Sequence, residues 1–168
     1  MAGYSFNMHT ETDGGDAEAF SLAKTNHHIF IGLSVDRKEK FYIGQNINSW
    51  TKTQTKGEGD DEKTITLLEL GPKFLYYFTK ERVFYISAVW NFYAKGTSEE
   101  SGDSSDVDGT STLISLGYHY RLGDTFMLGA SLNSHSVSIT SKITDSEQEE
   151  VTDTYQSTFP MLELLFRF

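Results

Sequence analysis

The chain closes on Met161-Leu-Glu-Leu-Leu-Phe-Arg-Phe168, and the alternation in this stretch decides the fold. Successive side chains of a strand point to opposite faces. Leu162, Leu164, Phe166 and Phe168 therefore share one face, and Met161, Glu163, Leu165 and Arg167 the other. The first face is wholly apolar. The second mixes two opposite charges with apolar residues. A strand with a greasy outer face that stops on a phenylalanine suits the closing strand of an outer-membrane barrel, with its last ring in the aromatic girdle.

The rest of the chain repeats the pattern. Period two recurs over Gly3 to Thr12, His27 to Val35, Lys40 to Thr51, Thr64 to Phe78, Val83 to Lys95, Ser111 to Leu122, Phe126 to Thr140 and Thr152 to Phe168. One face of each stretch is bulky and apolar, as in Phe84, Ile86, Ala88, Trp90 and Phe92. The other carries Gly, Ser, Asn, His and charges. Eight bulky faces exceed what one small core needs. Turned outward to lipid, they leave small polar residues to fill a narrow bore.

The connections alternate in length. Asp36 to Lys40, Thr79 to Arg82 and Leu122 to Thr125 are short. Between them lie long polar stretches: Asp13 to Asn26, Lys52 to Lys63, Gly96 to Thr110 and Ser141 to Val151. Short periplasmic turns and long extracellular loops are the outer-membrane arrangement. The long stretches hold most of the acid: Glu58, Asp60, Asp61 and Glu62, then Glu99, Glu100, Asp103, Asp106 and Asp108, then Asp145, Glu147, Glu149 and Glu150. They read as Gly/Ser/Thr-rich mobile loops. A short helical turn is expected over Ala17 to Lys24, capped by Asp16.

Composition bounds the function. The net charge is −10 over 168 residues, which argues against a nucleic-acid partner. Aromatic content of 14% argues against general disorder. Mean hydropathy is −0.41 and no long apolar run is present, so helical membrane spans are excluded and barrel spans are not. Cysteine is absent, which removes disulfides and thiolate metal sites. Met1 leads straight into an alternating stretch, so the sequence shows no signal peptide. The strand pattern points to a bacterial outer membrane with that signal already removed.

Leu70-Gly-Pro-Lys-Phe-Leu-Tyr-Tyr-Phe78, followed by Val83 to Phe92, resembles the small eight-stranded outer-membrane barrels of the OmpA/OmpX-like group. Leu116-Gly-Tyr-His-Tyr-Arg-Leu-Gly-Asp-Thr-Phe-Met-Leu-Gly-Ala130 is similar to that group's Gly-aromatic strand, tight Asp-containing turn and Leu-Gly strand. The resemblance implies an eight-stranded antiparallel up-and-down transmembrane barrel over residues 1–168, one domain and a monomer. It implies contact with outer-membrane lipids, and with the barrel-assembly machinery through the C-terminal strand: Leu162, Leu164, Phe166 and Phe168. Glu163 departs from the small residue common there.

Inward charge is the sharpest candidate signal. Glu69, Lys73, Arg121, Glu163 and Arg167 all take the bore parity. Charges in a narrow bore must be paired, because desolvation is costly otherwise. They are expected to form an ion-pair network, either a structural plug or a gate. His9, His28, His119 and His135 share the inward parity, and His119 and His135 are expected as polar bore residues. In Asn133-Ser-His-Ser136 the serines fall on the face opposite His135, so no local Ser-His pair forms and no catalytic set is assigned. Asp106-Val-Asp-Gly109 resembles part of a calcium loop, but serines occupy the first and twelfth positions, Ser104 and Ser115. No metal or cofactor is assigned. Pro72 and Pro160 fall inside strands and predict a bulge or a strand end; Tyr155 and Phe159 suggest a bulge near Pro160.

These features predict an integral outer-membrane barrel with a charge-plugged bore. It would serve surface display or envelope structure, its acidic loops meeting an extracellular partner not identified by sequence. The alternatives are a small gated pore and a soluble lipocalin-like barrel. The latter inverts the faces and places Phe84, Ile86, Trp90, Leu116 and Tyr118 around an apolar ligand.

Overall fold

A computed structural model describes residues 1–13, 20–56, 61–79, 81–100, 102–144 and 147–168, with the backbone alone at 9–13, 20–22, 56, 61 and 147. The strands are β1 (Ala2–Asp13), β2 (Phe20–Ser34), β3 (Phe41–Lys56), β4 (Asp61–Tyr77), β5 (Phe84–Glu100), β6 (Asp103–Arg121), β7 (Phe126–Thr144) and β8 (Glu147–Phe166). All neighbours pair antiparallel, in chain order, and β8 closes on β1 to complete a barrel. The eight-stranded up-and-down architecture expected from period two is therefore present.

The short turns stand where the sequence places them. The first is organised by Asp36, whose Oδ1 accepts the backbone N–H groups of Lys40 and Phe41, each at 2.7 Å. Ser34 Oγ also donates to the Asp36 carbonyl at 2.9 Å. Three backbone N–H groups, Phe41's first, hold the half-buried Asp36 carboxyl below the usual carboxylate range.

The long polar stretches differ from expectation. Strand pairing runs through most of them, and β6 to β8 reach 19 to 20 residues. Asp103, Asp106 and Asp108, read as loop acids, belong to β6, so the calcium-like segment is a strand. From Phe20 the expected helical turn is strand β2; Asp16 and Ala17 lie outside the described residues, as do Glu58, Asp60 and Asp145. Thr, a good strand former, explains part of the error. Thr51 pairs with Thr66, and Thr53 with Thr64, through hydroxyl contacts of 3.3 and 3.0 Å.

These longer strands reverse their polarity partway up. At the short-turn end the outward side chains are apolar: Ile29 to Val35, Leu68 to Phe78, Phe84 to Phe92, Ile114 to Leu122 and Leu128 to Leu132. Farther along, the same outward positions become Thr64 and Thr66, Lys95 and Thr97, Thr110 and Thr112, and Ser134, Ser136 and Ser138. The bore changes in the opposite sense. In the upper half Trp50, Ile65, Leu67, Val107, Val137 and Ile139 form a buried apolar cluster. The lower half buries Asn46, Asn48, Glu69, Asn91, His119 and Glu163. Its turn end is stoppered by Met1, Phe30, Tyr42, Leu75, Tyr77, Tyr85, Met127 and Leu165.

The closing seam follows the same boundary. β1 and β8 pair only from Ala2–Phe166 to Phe6–Leu162, inside the apolar belt. Beyond it Asn7 Nδ2 donates to the Pro160 carbonyl at 2.6 Å. N–H and C=O of a strand residue point the same way, so the donor that proline lacks would have faced β1. Pro160 thus stands where the β1–β8 ladder stops, but the expected strand end is not found, because β8 runs on through it in register with β7. The expected bulge beside it is absent: Leu132–Pro160 and Asn133–Phe159 pair in register, and the β7–β8 shift lies at Ile139/Ser141. Phe159 keeps the inward parity and is buried. The Gly71-Pro72 bulge does occur, between Leu70 and Lys73.

Candidate functional site

Two buried carboxylates dominate the bore. Glu69 projects from β4 and is fully buried. Its cross-strand neighbour Asn48 donates to Oε2 at 2.5 Å, and Trp50 Nε1 donates to Oε1 at 2.8 Å. Asn91 Nδ2 reaches Oε2 at 3.2 Å, and His135 Nε2 crosses from β7 to lie 3.1 Å from both oxygens. Four donors fill the acceptor sites of one carboxylate.

Glu163 forms the second centre on β8. Tyr85 OH lies 2.7 and 2.6 Å from its two oxygens, Ser131 Oγ 2.9 Å from Oε1, and His119 Nε2 2.8 Å from Oε2. Tyr77 OH lies 2.6 Å from His119 Nδ1. Tyr77, His119 and Glu163 thus form a continuous hydrogen-bonded chain across the bore.

Glycine makes this centre reachable. In register, His119 on β6 faces Gly129 on β7, which faces Glu163 on β8. A Cβ at Gly129 would lie 2.4 Å from His119 Cδ2, so only glycine lets that ring cross the intervening strand. Gly117 does the same for Tyr85, whose ring a Cβ would meet at 2.4 Å.

The expected ion-pair network takes a different form. Glu69, Lys73 and Glu163 are buried in the bore, but histidines and neutral donors hold the two carboxylates. Lys73 Nζ sits 5.2 Å from the Phe30 ring centre and has no carboxylate within 4 Å among the described residues. A cavity of ≈ 10 Å³ lies beside Lys73 and Glu163, the room a single water needs. Arg121 is exposed at the turn end of β6 and makes no ion pair among the described residues. Arg167 also leaves the bore and joins Arg82 on Glu39 in the first turn. The physical reason is position: Arg121 and Arg167 stand at strand ends, where a long side chain reaches water rather than paying desolvation.

His119 and His135 are buried and bonded as polar bore residues, and His28 is buried with Nε2 unpartnered. His27 instead meets Tyr4 OH on the outside at 2.7 Å, and the His9 side chain lies outside the described residues. Ser134 and Ser136 point away from His135, which keeps serine and histidine apart. Asn48, Trp50, Tyr77, Tyr85, Asn91, Ser131 and Glu39 are bonding partners that parity alone did not single out. Inward-facing glycines opposite large side chains were the available signal for Tyr85 and His119. Asn46, Asn48, Ser87, Asn91 and His28 keep buried polar atoms without a protein partner, so the middle layer is polar enough to be hydrated.

The arrangement can fill and lock a bore. Apolar side chains close it at the turn end and again above the carboxylates. Among the described residues no cluster of three or more His, Asp or Glu could hold a metal ion, and no helix is long and apolar enough to cross a membrane. No protein-family model, curated protein or solved structure matches the chain.

Proposed function

We propose that this chain is an integral outer-membrane barrel with a plugged bore, serving surface display or envelope structure. The observation that carries the reading is the reversal of the outer surface. The apolar belt spans about nine residues on β5 and β6, roughly 20 Å along the axis at barrel tilt. That is close to the ~25 Å lipid-facing band of outer-membrane barrels. Within the belt β1 and β8 pair without a gap from Ala2–Phe166 to Phe6–Leu162, as a medium without water favours. The ladder opens at Met8 and Pro160, at the upper edge of the belt, where water can serve the free groups. In this reading the short turns face the periplasm. The upper half stands beyond the lipid as a rigid, acidic, water-exposed extension, available to an external partner.

The chain has no cysteine, so single engineered cysteines report cleanly. After refolding into phosphatidylcholine vesicles, a water-soluble maleimide should label Ser136→Cys and Thr112→Cys but not Leu116→Cys or Leu132→Cys. The folded protein should also run faster unboiled than boiled on electrophoresis. Equal labelling at all four positions, or a strand-rich monomer in plain buffer, would refute the membrane reading.

A further inference from the structure

Glu163 and Glu69 are joined by a single row of polar side chains. In register, Glu163 faces Ser5, Ser5 faces His28, His28 faces Asn48 and Asn48 faces Glu69. All five are buried in the bore, and no apolar side chain interrupts the row. The contacts continue past both ends. His135 stands 3.1 Å from Glu69, and His119 links Glu163 to Tyr77.

His28 stands at the middle of the row with its Nε2 buried and unpartnered. Asn48 Oδ1 and both amide atoms of Asn46 are unpartnered beside it. The charges that act on His28 include those of Lys73, His135, Glu163 and His27, so it lies within reach of both centres. Strands are spaced ~4.8 Å apart, which puts the His28 backbone roughly 10 Å along the wall from that of each glutamate. The side chains and about two waters span that distance. One such space, of ≈ 10 Å³, is lined by Ser5, Lys73, His119 and Glu163. Above, a cavity of ≈ 240 Å³ has His135, Asn26 and Ser157 on its wall and room for several waters.

These features favour a proton over an ion. Chains of Asp, Glu and His inside a membrane are a recurrent form of proton relay. A hydrated ion would have to part the apolar stopper at the turn end and the apolar cluster above, and a cation would also meet Lys73. A proton needs only hydrogen bonds. We propose that this bore conducts protons and stays closed to ions, through His135, Glu69, His28, Glu163, His119 and Tyr77. His135 takes a proton from cavity water at one ring nitrogen and releases the one on Nε2 to Glu69. Water carries it to His28 and on to Glu163. His119 takes it at Nε2 and gives its Nδ1 proton to the Tyr77 oxygen. Tyr77 releases its own proton past Tyr42, which packs edge-on against it, to water at the turn end. Each hop makes one N–H or O–H bond as it breaks another, with no change of oxidation state. The path resets as its waters, hydroxyls and imidazole rings turn. Conduction across a bilayer rests on the membrane reading.

Phosphatidylcholine vesicles loaded with the pH dye pyranine, in potassium buffer with valinomycin to carry the compensating charge, report the flux after an outside acid step. The refolded protein should acidify the vesicle interior faster than lipid alone. His28→Leu breaks the row and should return the rate to that of lipid. Tyr77→Phe should do the same while its ring keeps the stopper in place, and it decides the matter should His28→Leu fail to give the folded band. A chloride-sensitive dye in parallel vesicles should show no anion leak. Vesicles as proton-tight as lipid, a flux that the folded variants leave intact, or protons accompanied by chloride would overturn the proposal. Maleimide labelling of Leu116→Cys in the same vesicles separates this from the membrane reading. A protected cysteine with no flux overturns conduction alone; a labelled one overturns the membrane reading and conduction with it.

Discussion

Glu163 illustrates how a buried carboxylate can be held by side chains from three other strands. Three donors from β5, β6 and β7 converge on its oxygens. Removing the charge leaves those donors facing an amide, and an unpaired buried polar group costs more than its bond is worth. Glu163→Gln should therefore lower resistance to urea unfolding in detergent by about 3 kcal/mol. Gly129→Ala should cost about 2 kcal/mol by forcing His119 off the carboxylate. If the glycine acts only through the centre, the double variant loses less than the singles combined. The inward parity of Glu69, Lys73, Glu163, His119 and His135 was legible in the sequence, because period two is local. Which of them meet was not, since His135 and Glu69 come from opposite walls of the bore.

Turns and seams carry the next level of control. Asp36 makes three backbone bonds that need its ionised form. Its folded pKa is depressed, so its stabilisation is fully present above the unfolded value of about 4 and is lost as pH falls through the folded value. Asp36→Asn should flatten that acid limb, as read by unfolding rates measured across the same pH range. At the other end of the barrel, Pro160→Val restores a donor facing β1. The new amide at position 160 should show slow hydrogen exchange as the ladder extends toward Met8, while rapid exchange there would show that something other than proline opens the seam. From sequence the proline suggested a bulge or a strand end; β8 has neither there, and only its ladder with β1 stops. The long polar stretches misled for a physical reason: Ser, Thr and acids suit the outer face of a strand in water as well as a loop, and composition does not separate the two.

The whole molecule combines two barrels of opposite polarity on one set of strands. Below, large apolar residues face outward and carboxylates inward; above, an apolar cluster fills the bore and polar residues face out. In lipid, Leu116→Lys should cost about 2–4 kcal/mol, the range for a cation on the lipid-facing surface. Ser136→Lys, on the same outward surface of the upper half, should be within about 0.5 kcal/mol of neutral. Equal small effects, measured by unfolding in vesicles, would mean that no lipid belt exists.

Sequence by itself determined the strand number, the short turns and the inward or outward side of the residues in the eight alternating stretches, because these follow from the two-residue repeat and local turn chemistry. Tertiary structure alone decided the rest. Closure of the ring brings His119 over Gly129 to Glu163, sends Arg167 to Glu39 in a distant turn, and leaves the seam open above Phe6. Such contacts join strands far apart in the chain, and no local periodicity encodes the register or the tilt that sets them.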